Sequence, residues 1–450
     1  MRLPGRKVIS GLPVVLMLFG SVGSAETLQD AWQRALEVDF GLRASMLQVD
    51  SAESAREAAK RVRYPALSAL GLYLALDEAP SIDPGIPENV SVNLPGLPGI
   101  LQPTFAVPPE LREFEIVDDS FGQAGVMASL PVYTGGRISG SIDAADAQLT
   151  AARWRRRQTE QELKLAVAES YTNVLRAEEA VTISDQEIAT VRALVQDVNN
   201  LYEQQLVAKN DVLSVKVFLA EAKQRNLQAR NAVELTQAAY NRLMQRDLST
   251  PVNLAALEPP VARLELGPLL DRAMEERPEL KALQAQVETL GHAGKIIKAG
   301  LLPQVGLLGG LMYLDLDSLQ DNTVAYGGVA VNWSFFDAGG TRKQAEALEN
   351  RRLSTTELLA QASELIKLQV RQVWLSLEEA LFRLEVAQTV LEAADENLRV
   401  TTDRYRNNLA TNTEVLEAQT RRTAAFSSYN NAVYDAVYAE LKLQYVSGGL

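Results

Sequence analysis

The chain has 450 residues, of which 47% are hydrophobic and 22% charged, with no Cys, one His and a formal net charge of −13. The missing Cys excludes a disulfide scaffold, a thiolate zinc site and a Cys nucleophile, and a single His leaves no multi-His metal site or His relay. So acidic a chain is no phosphate-backbone binder, which needs Lys and Arg to displace counterions. Length alone corresponds to two or three ordinary domains, and the mean hydropathy of −0.07 is that of a soluble protein.

Residues 1–25 read as a signal peptide. Arg2, Arg6 and Lys7 form a basic start, Val8 to Gly20 is mostly apolar, and Gly23-Ser24-Ala25 places small residues before Glu26. The apolar run falls short of the roughly 20 residues of a spanning helix. Removing this segment, with three bases and no acid, takes the charge from −13 to −16. No later stretch reaches 18 apolar residues, so the mature protein is expected to be exported without a transmembrane helix.

The rest of the chain repeats itself. Ala31-Trp32 through Ala44 aligns with Leu269-Leu270 through Ala282 at an offset of 238, which also carries Pro65 onto Pro303. Farther along the offset is 203: Tyr171 falls on Trp374, Tyr202 on Tyr405, Leu206 on Leu409, and Val212-Leu213 on Val415-Leu416. Gly135-Gly136 also pairs with Gly339-Gly340. The two offsets differ by 35 residues, an insertion between Pro65 and Gly135. Segment 77–119 holds eight of the 18 prolines and reads as a long loop.

Each repeat reads helix, strand, loop, strand, long helix, tight tip, long helix. The first repeat, 26–250, has an amphipathic helix over 27–62, strands over about 65–76 and 121–133, and long helices over 138–205 and 211–245. A linker with four prolines, 251–268, follows. The second repeat, 269–450, opens with a helix over 267–299, then strands over about 303–316 and 323–336, and long helices over 341–409 and 413–446. The last strand alternates Val329, Val331, Trp333 and Phe335 on one face with small or polar residues on the other. Strands of this length cross an outer membrane at a tilt. The long helices carry heptad seams, Val174 to Tyr202 and Leu377 to Tyr405, with steps alternating three and four. Many seam residues are small, so each helix needs neighbours on both sides. Four strands cannot close a membrane barrel alone, so chains must pool them: two give eight, three give twelve.

The mature chain resembles the TolC-like outer-membrane efflux factors. The resemblance rests on the signal peptide with two repeats in this order and on Pro65 and Pro303 at the helix-to-strand junctions. It rests also on Leu130-Pro131-Val132-Tyr133-Thr134-Gly135-Gly136-Arg137, echoed by Phe335 to Arg342, and on the tip segment Tyr405 to Glu417, echoed by Tyr202 to Leu213. It implies a mainly α protein with a β-barrel: two repeats of coiled-coil helices plus four strands per chain. A trimer would form a 12-stranded outer-membrane barrel and an α-helical periplasmic tunnel. The implied role is exit duct for drug efflux or type I secretion, in contact with outer-membrane lipid, a periplasmic adaptor (membrane fusion) protein and an inner-membrane pump. No cofactor, metal, enzyme activity or nucleic-acid partner is expected. The other class to weigh is an exported coiled-coil fibre, structural or adhesive, which has no use for the strands.

The resemblance places the periplasmic aperture at Glu414, Glu417, Asp211, Tyr202 and Tyr405. Glu414 and Glu417 stand at i, i+3 on one helix face. Three copies would set six carboxylates around a narrow axis, where like charges raise one another's pKa and attract cations. Leu206, Val207, Leu409 and Ala410 are the implied adaptor-contacting tips. Two departures stand out. Gln205 and Asn408 occupy positions where the family often has Gly, and Ala410 stands where the best-known member has a bracing base. Lys209, Arg404 and Arg406 are the candidate substitutes for that latch. His292 and Trp32 read as structural residues, Trp333 as an interfacial anchor, and the basic run Arg153 to Arg157 as a solvated helix face or inter-protomer ion pairs.

Overall fold

The computed structural model describes residues 25–77, 81–82, 84–91, 104–108, 114–115, 120–260, 264–315, 321–407 and 409–450. The signal peptide and much of the 77–119 insertion lie outside them. The chain divides into two compact units: residues 1–45, 156–278 and 363–450 form the first, and 46–155 and 279–362 the second. The longest helices have residues in both.

The amphipathic helix expected over 27–62 is two helices, α1 (Leu28–Val38) and α2 (Phe40–Arg61). Asp39 breaks it. Its backbone is extended (ψ 131°), its N–H closes α1 on the Ala35 carbonyl at 2.9 Å, and its carboxylate accepts the Leu42 N–H at 2.7 Å. An Asp in that position caps a new helix. The helix expected over 267–299 breaks at the matching place, Arg277, into two that are numbered α5 and α6 below. There the cause is Pro278, which favours the first helical position and pushes its predecessor out of the α region.

The second unit carries the sheet. Its long strands are β1 (Ala66–Ala75), β6 (Ser120–Tyr133), β7 (Gln304–Asp315) and β8 (Thr323–Asn332), all antiparallel in the order β1-β6-β7-β8. The 77–119 insertion is not featureless: β2 (Ser81–Ile82) pairs with β5 (Phe114–Glu115), and β3 (Asn89–Ser91) with β4 (Thr104–Ala106). The β6–β7 ladder joins the two repeats and slips at Val132, after Pro131, which has no N–H to donate. At Gly310 a Cβ would run into the Val126 carbonyl, so only glycine lets these strands approach. The last strand stops at Asn332, not Phe336. Its partner β7 begins at Gln304 after Pro303, so Trp333 onward has no ladder to join, and Trp333 Nε1 donates instead to the Leu301 carbonyl at 3.1 Å. Strands β1 and β8 form the two edges and are exposed at every position.

The helical elements are equal in the two repeats. Helix α3 (Arg137–Glu203) and helix α7 (Gly340–Arg406) have 67 residues each, about 100 Å at 1.5 Å per residue. Helices α4 (Lys209–Leu243) and α8 (Asn412–Val446) have 35 each. The left-handed residues that open α3 and α7 are Gly135 and Gly136 in one repeat and Ala338 and Gly339 in the other. That corrects the pairing of Gly135-Gly136 with Gly339-Gly340: the turn keeps the 203 offset of the helices, and an alanine takes a position suited to glycine.

In the first unit α1 packs with α3, α4, the linker and Tyr434 of α8; after the linker come α5 (Leu266–Glu276) and α6 (Pro278–Ala299). Tyr171 and Tyr240 are fully buried and meet edge to face, ring centres 6.2 Å apart. The Tyr171 hydroxyl lies 2.7 Å from the carbonyls of Glu26 and Ala255, and burial pushes its pKa up to about 12. Glu26 also bridges to Leu254 and takes both arms of Arg246 at 2.9 Å. Trp374, the repeat-mate of Tyr171, donates to the Leu264 carbonyl at 2.7 Å. Trp32 donates to Lys164 O at 2.8 Å. Tyr171, Arg246 and Trp374 thus hold non-helical segments, while Trp32 ties α1 to α3.

Candidate aperture at the helix tips

The turn after α3 closes on itself. Gln205 N–H donates to Tyr202 O and Leu206 N–H to Leu201 O, both at 2.9 Å, with Gln205 left-handed at φ 61°. This is a Schellman end with Gln where glycine is usual. Leu409 N–H donates to Arg404 O at 2.8 Å, the same bond one repeat later; Asn408 lies outside the described residues. The motif puts Leu206 and Leu409 at matching positions, both more than half exposed, while Val207 and Ala410 pack partly onto the tip core of Val191, Val198, Val212 and Val415.

The helices that leave the tip start on acids. Thr411 caps α8: its hydroxyl oxygen accepts from Glu414 N, and Glu414 Oε1 accepts from Thr411 N (3.1 Å) and Oγ1 (2.9 Å). That is a complete capping box. In α4, Ala208 has no side chain to give, and only Asp211 reaches back, accepting from Ala208 N at 3.1 Å. Asn412 ties the two starts together by donating to Asp211 O at 3.2 Å. Glu414 is held below the usual carboxylate range by the Thr411 N–H, then by the Thr411 hydroxyl and the charge of Arg404. Within one chain its carboxylate is thus occupied and acidified, opposite in direction to the mutual rise expected of a ring. Glu417 is solvent-facing, 3.8 Å from Arg421.

The other expected residues separate. Tyr405 is 4% exposed and its repeat-mate Tyr202 42%. The Tyr405 hydroxyl is buried with no hydrogen-bond partner among the described residues. Burial raises its pKa, and the nearby charges of Asp211 and Asp197 raise it further. Of the three latch candidates, Arg406 reaches an acid of another helix, its Nε 3.3 Å from Asp197 of α3. Arg404 donates to the Leu409 carbonyl at 3.0 Å and closes its own turn. Lys209 makes no ion pair among the described residues. Asp197 was not legible as a site residue: its partner lies 209 positions away, and no local pattern links the two.

Among the described residues no helix is long and apolar enough to cross a membrane. The model of the outer membrane efflux protein family matches residues 117–245 and 269–449, well over half the chain. The chain belongs to that family. The family is one of outer membrane efflux proteins. The chain is 22% identical over 317 residues to the alkaline protease secretion protein AprF of Pseudomonas aeruginosa, covering 68% of this chain and 65% of AprF, just under two thirds of that relative. It is 21% identical to the outer membrane efflux protein BepC of Brucella suis, covering 73% and 72%. Among solved structures, VceC of Vibrio cholerae superimposes with a TM-score of 0.74 at 18% identity, over 94% of this chain and 96% of that one. That match shows the fold: α3, α4, α7 and α8 with the β1-β6-β7-β8 sheet are the efflux protein's share of it.

Proposed function

We propose that the efflux protein is the homotrimeric exit duct of a tripartite efflux pump or type I secretion system, passing small molecules or proteins to the exterior. The observation that carries this is the sheet. Both edges are unpaired, and an open edge has no place in lipid. In the order β1-β6-β7-β8, β8 runs antiparallel to β1. Three sheets joined edge to edge make an all-antiparallel barrel of twelve strands, wide enough to leave a channel. The long helices of the three chains form the tunnel wall. The signal peptide directs the chain through the inner membrane and is removed after Ala25.

The tips form the regulated end. Glu414 and Glu417 ring the aperture, braced by Asp211 and Tyr405, with Tyr202 at the equivalent exposed position. Arg406 on Asp197 replaces the base that Ala410 lacks. Leu206 and Leu409, with Val207 and Ala410, meet the periplasmic adaptor, which joins the duct to an inner-membrane pump. The test is conductance in planar bilayers. Glu414→Gln with Glu417→Gln should lower cation preference and block by multivalent cations, and Arg406→Ala should raise conductance. Unchanged cation selectivity in the double variant removes the acidic ring, and a soluble periplasmic monomer on fractionation removes the duct.

A further inference from the structure

The first unit contains a cavity of about 270 Å3 between α3, α7 and α8. Its apolar walls are Val191 and Leu194 of α3, Leu398 of α7 and Val415 of α8. Two threonines also line it, but their hydroxyls are spent on their own helices: Thr190 donates to Gln186 O at 3.0 Å and Thr402 to Leu398 O at 2.7 Å. Gln419 differs. It is 1% exposed, its Nε2 donates to Thr423 Oγ1 at 3.1 Å, and its Oε1 is buried with no donor among the described residues. Asp197 and Arg406, 3.3 Å apart, also line the cavity.

The bonding capacity left inside includes two acceptors beside an apolar wall, the unpartnered amide oxygen of Gln419 and the carboxylate of Asp197, which Arg406 engages through Nε. An anion could take the other N–H groups of Arg406 but would leave Gln419 Oε1 without a donor. A neutral hydrocarbon leaves Gln419 Oε1 unsatisfied, and a buried acceptor without a donor is costly. A protonated amine meets both needs, since an ammonium carries three donors and a positive charge. The volume is just under the range of typical ligand pockets, about 300 Å3 upward, and suits a single ring with a short tail.

We propose that this cavity is a binding site for small organic cations, primary amines on one apolar ring. The ammonium donates to Gln419 Oε1 and faces Asp197, and the ring packs against Val191, Leu194, Leu398 and Val415. The ligand then competes with Arg406 for the Asp197 carboxylate. The two halves of one ion pair therefore act in opposite directions: losing Asp197 weakens binding, and losing Arg406 strengthens it.

The test uses the purified full-length protein in detergent, titrated with 2-phenylethylamine and followed by saturation-transfer NMR. Saturable binding is expected, weaker by about tenfold in Gln419→Met and in Asp197→Asn, the loss of one charge-assisted hydrogen bond, and tighter in Arg406→Leu. The uncharged 2-phenylethanol should bind about tenfold more weakly on the same grounds, and phenylacetate more weakly still, since it brings no donor for Gln419 Oε1. Ala193→Trp, on the exposed rim of the cavity, should abolish binding without touching the buried glutamine. No saturable binding by the wild type, unchanged binding in Ala193→Trp, or equal binding of phenylacetate overturns the proposal. Bilayer conductance separates it from the latch: amine binding with conductance indifferent to Arg406 leaves the cavity site standing and removes only the latch.

Discussion

At Gln205 the backbone stands at φ 61°, a conformation that a side chain with a Cβ resists. The ends of the shorter long helices show the same two choices at one matching place: α8 ends on Gly448 at φ 83°, and α4 on Gln245 at φ 52°. Gln205→Gly should therefore stabilise the tip turn by about 0.5–1 kcal/mol, seen as a higher unfolding midpoint in detergent. Glu414 makes a pH-dependent claim. Its pKa is lower folded than unfolded, so the stabilisation is complete above the ordinary carboxylate pKa and is lost as pH falls through the folded value. Fraying of the first turn of α8 should rise as pH falls below the ordinary carboxylate range, measured by hydrogen exchange corrected for intrinsic rate. Glu414→Gln keeps a capping-box residue and should flatten that dependence.

The α3–α4 pair carries a polar layer that the α7–α8 pair does not match. Glu187, 2% exposed, takes Arg225 at 2.8 Å, and Asn226 donates to Ser184 and Asp185 at 2.8 Å each. Shifted by 203, these positions read Val390, Ser428, Tyr429, Ala387 and Gln388. A buried carboxylate keeps two helices in one register because any slip strands it. Arg225→Ala should cost about 1–3 kcal/mol, below the fully buried range because the guanidinium is partly solvated, and Glu187→Leu in the same chain should recover much of it. Thermal unfolding of single and double variants checks both. Periodicity did not mark this layer, since Glu187 lies off the seam that runs through Ser184, Ile188 and Val191; its burial comes from what α4 presents to it.

For the whole assembly, the edges of the sheet decide the matter. The chain has no cysteine, so any disulfide introduced reports one contact. One Cys placed in β1 and one in β8, scanned along both strands, should give covalent trimers where the two edges of neighbouring chains oppose each other, and none with either Cys alone. A dimer as the largest product at every pair would replace twelve strands by eight. Two repeats, the strands and the long helices were legible because they are periodic or duplicated. The near-zero mean hydropathy is explained by the same inventory, in which helices with exposed polar faces outweigh four strands.

What the sequence by itself determined is what local stereochemistry and repetition control. Pro65 and Pro303 end helices because they cannot continue them, heptads make helices pair, and four strands demand partner chains. The break at Arg277 was also within reach, as Pro278 follows it. Tertiary structure alone decided the rest. Asp39 breaks its helix by a side-chain cap with no unique local signature. Tyr405 is buried where its repeat-mate Tyr202 is not, Arg406 meets Asp197 across 209 residues, and Gln419 lines a cavity between three helices. Each depends on which side chain a distant helix places opposite, and a residue's own spacing carries no record of that.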